Sequence, residues 1–582
     1  MTTTPSRLRA SLRFAVGILV VVVVSACAST RDSRAGKAPR KARAVQVPIL
    51  LGPTPPDEPV EFDLVLKQPH AAELDAYANG VTSPTSPHYQ HFLTAAEIGE
   101  RYGVSGSQVA QVTAWLARRG VTTLDAFAQR TAIRVRAPAR TVDRVFQVTL
   151  LDYRDDIAGQ RYHRPRAEPK VPVALHATVD AIAQLDSREY RQPMSTPASV
   201  TSAHACLADA TCLSADGLAR AFDIEPLHNS GILGDGEYVA VIMDGKVADS
   251  DLRQWANIVG RPASPPIERI TVGKGPSAKE SSDPTSTLEG TMDVELVQAV
   301  APHAKVLYFY SSLNEFADAV NQIVADGRAH TITYSAGGCD TADALNDPDV
   351  LANRRADSDA VKAAAVAGVN VLASSGDHGA FNCLASDPND FSVAASEPSD
   401  LPFVISVGGT FLRHAADGSY VDESAWESPL TNWATGGGLN PVDPRPSWQK
   451  GLGVANGQSN GKRQTPDVAA PGDPLSGMFI VVNGKDEVSG GTSASSPFWA
   501  GLSALYGQLA RKAGIQRLGF LDPTLYALAA ANPANTLFHD IVRGGNLYYP
   551  ATPGWDYATG LGSPIAAPLG LAIVQYLRTK GG

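Results

Sequence analysis

One serine and three carboxylates carry the spacing of catalytic chemistry in this sequence. The stretch Gly490–Gly491–Thr492–Ser493–Ala494–Ser495–Ser496–Pro497 runs into Phe498–Trp499–Ala500–Gly501–Leu502, a glycine-rich turn feeding an apolar segment of helical character. Small residues let the chain turn sharply and let another backbone come close. The free N–H groups at a helix start can hold developing negative charge. Ser493, at that junction, has the setting of a nucleophile, provided that a base and a second oxyanion donor exist elsewhere. Gly-Thr-Ser equally suits an ordinary helix N-cap, so the serine needs partners to mean anything.

Thr287–Leu288–Glu289–Gly290–Thr291–Met292–Asp293–Val294–Glu295–Leu296–Val297–Gln298–Ala299–Val300–Ala301–Pro302 has a helical apolar pattern that Pro302 ends. Glu289 and Asp293 stand four residues apart and so share one face. Two adjacent carboxylates repel unless one orients the other or shares its proton. The bland alternative is a solvated acidic face. Glu295 projects from another side of the helix and is set aside. The third carboxylate, Asp377, lies in Ala373–Ser374–Ser375–Gly376–Asp377–His378–Gly379, just after an expected buried strand. Aspartates in glycine-rich loops are common turn formers. Loops at the carboxyl ends of parallel strands are also where α/β sheets collect functional groups.

The elements that must position these residues are legible as short apolar runs. Tyr238–Met243, Lys305–Tyr310, Thr331–Ser335, Val369–Ser374 and Phe403–Val407 read as strands, with helical patterns at Ala317–Ala325 and Ser358–Ala367 between them. Strands alternating with helices imply a parallel sheet covered on both faces. Upstream, Glu61–Leu66 alternates like a strand, Ala71–Asn79 and Ala95–Tyr102 read as short helices, and Ser107–Arg119 as a longer one. Val109, Val112, Trp115 and Leu116 line the apolar side of that longer helix. This is an α+β module without a catalytic constellation. Gln192–Ala205, rich in Ser, Thr, Ala and Pro, reads as a linker open to proteolysis.

At 582 residues the chain exceeds one average domain, and 44% hydrophobic against 19% charged residues can build a sizeable core. The net charge of −10, without a basic stripe, argues against nucleic acid as a partner. Arg7, Arg9 and Arg13 precede the apolar run Phe14–Ala26, too short to span a bilayer comfortably but suited to an export signal. Val24–Ser25–Ala26–Cys27 resembles a bacterial lipobox, with Val24 where leucine is usual, so Cys27 is a candidate lipid anchor. A plainly secreted protein is the alternative. Four cysteines follow, and an exported protein makes disulfides expected. Four thiols allow three connectivities; the short Cys206–Cys212 spacing favours that pair and leaves Cys339 with Cys383.

These pieces together resemble the sedolisin (kumamolisin-like) family of serine-carboxyl peptidases. The serine motif, Glu289 with Asp293, and the Ser-Gly-Asp loop correspond in order and context, as do Gly436–Gly437–Gly438, Pro446–Ser447–Trp448–Gln449 and Thr465–Pro466–Asp467–Val468–Ala469–Ala470. Ser86–Pro87–His88–Tyr89–Gln90–His91–Phe92–Leu93–Thr94 and Val145–Phe146 are similar to the family's activation domain. The resemblance implies a signal at 1–27, a tether at 28–45, a pro-kumamolisin-like domain at 46–190, a linker at 191–205 and a peptidase domain at 206–582. It implies a subtilisin-like doubly wound α/β catalytic domain behind an α+β, ferredoxin-like propeptide. By position, Ser493 would be the nucleophile, Glu289 its base, Asp293 the residue orienting Glu289, and Asp377 the oxyanion acid. A histidine base, near 6.5, would be protonated in acid, whereas a glutamate, near 4.3, keeps a usable base fraction there. The implied protein is therefore a zymogen of an acid-active endopeptidase acting on proteins or peptides, with its own propeptide as partner.

Around Phe538–His539–Asp540–Ile541–Val542 and Thr552–Pro553–Gly554–Trp555–Asp556 the family binds calcium. The implied ligands of one structural Ca2+ are the side chains of Asp540 and Asp556 and the carbonyls of Ile541, Thr552 and Gly554, with Thr552 where glycine is common. Two further departures are Ala336, where the family often has tryptophan, and the lack of a glutamate near Met243. Val239–Ala240–Val241–Ile242–Met243–Asp244–Gly245 also resembles the aspartate strand of subtilisins, a scheme that would use Asp244 and a histidine. The chain has Glu289–Gly290–Thr291 where the histidine segment would lie, which makes Asp244 structural. A tripeptidyl-peptidase of the same family and a catalytically silent binding protein are the remaining alternatives.

Overall fold

All five apolar runs become strands of one eight-stranded sheet in the computed structural model, which describes residues 48–154, 160–197, 212–261 and 264–580. Across the sheet the order is Glu268–Thr271, Lys305–Tyr310, Tyr238–Met243, Thr331–Tyr334, Asn370–Ser374, Ile405–His414 and Tyr420–Ala425, with Val468–Pro471 also pairing Ile405–His414. Every pairing is parallel except that of Ile405–His414 with Tyr420–Ala425. Helices cover this sheet, which is why a strand such as Tyr238–Met243 reads as an unbroken apolar run and not as an alternation. The carboxyl ends of three neighbouring strands deliver Asp244, Ser335 and, after a short loop, Asp377 to one edge.

Two helices matter most. The first, here the acid helix, runs from Pro284 to Val300. It starts earlier than the apolar pattern suggests, because the Asp283 side chain accepts from the N–H groups of Thr285 and Ser286 and Pro284 occupies the first helical position. The second, the serine helix, runs from Thr492 to Lys512 and is buried along most of its length. The acid helix is buried all round, Glu289, Asp293 and Glu295 included, so no solvated acidic face exists. Its close approach to the sheet requires Gly290, where a Cβ would collide with the Tyr308 hydroxyl.

The N-terminal module is a four-stranded antiparallel sheet ordered Thr122–Ala126, Ala132–Pro138, Pro59–Leu66, Val179–Ala183. With the helices Gly106–Ala117 and Ala139–Phe146, this is the ferredoxin-like arrangement. Val112, Leu116, Val135, Val142 and Phe146 meet in a core of its own. The module docks on the helices Phe316–Asp326 and Pro348–Val366. Arg134, itself buried, pairs with Asp318 and Glu315 there, and with Glu61 of its own sheet. Gln129 donates to the Asn321 carbonyl at 2.7 Å, and Leu93 N–H to the Val366 carbonyl at 3.1 Å. The Ser86–Thr94 stretch is part of this contact, since the Phe92 ring lies against Gly368 and Gly519.

Cys339 and Cys383 form a disulfide, whereas Cys206 lies outside the described residues. So do residues 1–47, with the export signal, Cys27 and the tether. No helix among the described residues is long and apolar enough to cross a membrane.

Candidate active site

Ser493, Glu289, Asp293 and Asp377, separated by up to two hundred residues of sequence, converge at one end of the sheet. Gly491 precedes the serine helix with φ of 102°, a left-handed conformation open to glycine, and a Cβ there would collide with the Met194 carbonyl oxygen and Asp377 Oδ2. Asp377 caps the helix: its Oδ1 accepts from the backbone N–H and from the hydroxyl of Thr492, both at 2.8 Å. Asp377 Oδ2 and the Met194 carbonyl oxygen both lie against Gly491. Pro497 lies inside the helix and has no N–H to offer the Ser493 carbonyl. The Ser335 hydroxyl stands 3.4 Å from that carbonyl instead. Ser495 and Ser496 point elsewhere, to the Ala470 carbonyl and to Thr333 respectively.

Glu289 and Asp293 are fully buried on the face of the acid helix that looks at Ser493. Burial first, and the neighbouring Asp293 second, push the Glu289 pKa well up; the nearby hydroxyls of Ser195 and Ser493 oppose the rise. Neither Glu289 oxygen has a partner in full hydrogen-bond geometry. Burial also raises Asp293, against the Ser335 hydroxyl, which donates to Asp293 Oδ1 at 2.7 Å. Two buried carboxyls so placed repel, so ionising one disfavours ionising the other. Glu295 faces away, accepting from Val481 N–H at 3.0 Å.

The cleft is occupied by the chain itself. Gln192–Pro193 pairs antiparallel with Ala336–Gly337, and Thr196–Pro197 pairs antiparallel with Ser489–Gly490. The first part of the segment expected to be an open linker is thus docked in the cleft: Arg191 is 0% exposed, Met194 6% and Ser195 7%, while Gln192 stays exposed. Composition described the segment but not the walls around it. Met194 N–H donates to the Ser335 carbonyl at 3.1 Å, and Ser493 N–H donates to the Met194 carbonyl at 3.3 Å. The Met194 carbonyl oxygen thereby accepts from the Ser493 N–H and lies against Gly491, as Asp377 Oδ2 also does. The Met194 side chain enters a pocket bounded by Ser374, whose hydroxyl is 3.3 Å from its sulfur, and by Gly337. The Ser493 hydroxyl currently donates to the Ser335 carbonyl at 3.3 Å.

Sequence reasoning passed over Met194, Ser195 and the hydroxyl of Ser335, although Ser335–Ala336–Gly337 is visible as a strand end. Asp244 sits apart from Ser493. It accepts from the Ser286 hydroxyl at 3.1 Å and burial lifts its pKa to about 7. His378, next to Asp377, contacts the Asn432 carbonyl and Trp433.

Near the C-terminus, Asp540 and Asp556 converge on the turn 552–556: both Asp540 oxygens accept from Gly554 N–H at 3.1 Å, and Asp556 Oδ2 accepts from Thr552 N–H at 2.9 Å. Burial raises the Asp556 pKa to about 7, and no basic side chain pairs with either carboxylate among the described residues. The described residues hold no cluster of three or more His, Cys, Asp or Glu of metal-binding geometry. Two hard carboxylates and the carbonyls of a tight turn nevertheless fit a calcium donor set, which draws on backbone oxygens.

The chain is similar to several known proteins over most of its length. The family model described as "Pro-kumamolisin, activation domain" matches residues 49–188. Kumamolisin of Bacillus sp. (strain MN-32) is 29% identical over 566 residues, covering 94% of this chain and 96% of that protein. Sedolisin of Pseudomonas sp. (strain 101) is 29% identical over 536 residues, covering 89% and 86%. Tripeptidyl-peptidase 1 of Canis lupus familiaris is 25% identical over 627 residues, covering 98% and 100%. The solved structure of Pseudomonas sedolisin complexed with two molecules of pseudo-iodotyrostatin superposes with a TM-score of 0.53 at 28% identity, covering 64% of this chain and 99% of that one.

Proposed function

The chain belongs to the sedolisin family of serine-type peptidases and carries that family's activation domain, as a zymogen does; from that premise we propose that it is an exported, acid-active endopeptidase that first cuts itself between Met194 and Ser195. The observation that carries this is the Met194 carbonyl accepting from Ser493 N–H at 3.3 Å, with Asp377 Oδ2 and that carbonyl both against Gly491 and with Glu289 beside the hydroxyls of Ser195 and Ser493.

Ser493 Oγ attacks the carbonyl carbon of Met194 and passes its proton to the ionised member of the Glu289–Asp293 pair, through Glu289. Negative charge grows on the carbonyl oxygen, where Ser493 N–H and a protonated Asp377 Oδ2 donate to it. Collapse breaks the bond to the Ser195 nitrogen, which takes the proton from Glu289. Water, deprotonated by Glu289, then attacks the acyl ester; the ester bond to Ser493 Oγ breaks, and Oγ takes the proton back from Glu289. Asp293 holds Glu289 in place and is itself held by Ser335.

Endopeptidase action is favoured over tripeptidyl release by the occupant of the cleft. Tyr190 and Arg191 continue the chain beyond the third residue before the bond, and Arg191 is fully buried there. A site that closed after three residues would not admit them. One Ca2+ held by Asp540, Asp556 and the carbonyls of Ile541, Thr552 and Gly554 would supply structural cross-linking of the C-terminal turns. Export rests on the N-terminal sequence alone, and the lipid anchor on Cys27.

The test is acidification of the purified full chain, followed by N-terminal sequencing. A new N-terminus at Ser195 that fails to form in Ser493→Ala is expected. Processing at an unrelated site, or processing undiminished in Ser493→Ala, contradicts the proposal.

A further inference from the structure

Three residues before Met194, Arg191 leaves the line of the cleft and enters a pocket with no opening to solvent. Its guanidinium pairs with Asp357, from the helix Pro348–Val366, and with Glu397 at 2.6 Å, from the strand Ala395–Glu397. It also donates to the Leu313 carbonyl at 3.3 Å and lies 5.5 Å from the Phe316 ring centre. All three charged groups are buried, Arg191 completely. The two carboxylates belong to the peptidase domain and stay behind when the linker leaves. Two buried carboxylates facing each other repel, and removing a buried cation from them is strongly unfavourable. The pocket is therefore built around a cation that self-cleavage takes away.

We propose that Asp357 and Glu397 form a specificity-determining subsite that selects an arginine four residues to the N-terminal side of the bond cut in protein substrates. It rests on the peptidase reading and adds to it a class of substrate, chains with a basic residue at that position. Arginine fits better than lysine because the two carboxylates and one carbonyl come from three different elements, which a forked, planar donor can satisfy together. The subsite keeps its charge in acid. Against burial, the Arg191 and Arg354 cations and a hydrogen bond with Asp357 hold Glu397 below the ordinary glutamate range, while burial drives Asp357 up, so with an arginine seated the pair retains one proton and one negative charge.

The test uses the acid-processed enzyme and blocked peptides of the sequence Tyr-Xaa-Gln-Pro-Met-Ser-Thr-Pro, with Arg, Lys, Gln or Glu at Xaa. The kcat/KM is expected to fall about 10²-fold from Arg to Gln, with Lys between them and Glu lowest. In Asp357→Asn with Glu397→Gln the Arg-to-Gln ratio should shrink to within about 3-fold. Equal cleavage of the Arg and Gln peptides by the unaltered enzyme overturns the subsite and leaves the peptidase reading intact. If no peptide is cut, that reading fails, and hydrogen exchange in the full-length Ser493→Ala protein decides the subsite. There, Arg191→Gln should expose the amides of Gln192, Met194 and Ser195, and Arg191→Lys should partly protect them. Unchanged protection in Arg191→Gln overturns the proposal.

Discussion

At the scale of single residues, the site divides its labour between charge and position. Glu289 is the group whose loss should be felt most. A general base contributes about 10²–10⁴ in rate, so Glu289→Gln should lower kcat on any peptide by roughly that factor. Asp244→Asn, whose carboxylate accepts from the Ser286 hydroxyl at 3.1 Å, should stay within about 3-fold, because in the proposed mechanism it takes part in neither proton transfer nor oxyanion binding. The two variants separate a carboxylate-served serine from a subtilisin-like scheme in one assay. Ser335→Ala is subtler. It removes the donor at 2.7 Å that opposes the rise of Asp293, so the proton shared by the pair is held more tightly. The acid limb of the rate profile should move to higher pH while KM changes little. That hydroxyl was not legible in the sequence: its meaning depends on Asp293, forty-two residues earlier in the chain, and no local pattern joins the two.

At the scale of elements, what could be read in the sequence was what the chain decides locally. The five strands are runs of β-branched and apolar residues, and the acid helix ends where Pro302 forbids it to continue. Burial was harder. An acidic pair on a helix face reads as solvated because the elements that cover it, the cleft segment and the serine helix, lie about one hundred residues earlier and two hundred later in the chain. The helix Pro348–Val366 begins ten residues before the apolar pattern at Ser358 does, since Asp349, Arg354 and Asp357 are buried there by partners from elsewhere in the chain, Asp443 and Arg191 among them. Apolar periodicity cannot register such pairs. The same principle makes the activation domain's grip testable. Arg134 pairs with both Glu315 and Asp318 across the domain contact. In the full-length Ser493→Ala protein, Arg134→Met should cost about 3–5 kcal/mol of stability, because it strands buried charge. The loss should be largest above pH 7 and shrink below it, as Glu315, whose pKa burial pushes up to about 7, takes a proton. A thermal-unfolding series against pH reads this directly.

At the scale of the whole molecule, buried carboxylates tie stability to acid. Burial raises Glu289, Asp293, Glu295 and Asp522 well above their ordinary values, Asp244, Asp349 and Glu423 to about 7, and Asp359 to about 6. For each, the folded chain holds the proton more tightly than the unfolded chain. Their contribution is complete below the unfolded value and is lost as pH rises through the folded one. His163, His330 and His539, each lowered by burial to about 4, act in the opposite sense, losing stability as pH falls below 6.5. The carboxylates outnumber the histidines over the shared window. The Tm of the full-length Ser493→Ala protein should therefore drop between about pH 5 and pH 7.5, and a chelator should lower it further at both values if Asp540 and Asp556 hold calcium. A Tm that climbs toward neutrality would mean the buried acids are ionised in the folded chain. Chemistry should follow the same axis, because the account requires Glu289 ionised and Asp377 protonated at once. The most direct test is kcat/KM of the processed enzyme against pH on one peptide. A profile that peaks in acid and falls toward neutrality is predicted. One that rises through the histidine range to a plateau above neutral pH would show an imidazole at work and contradict the account.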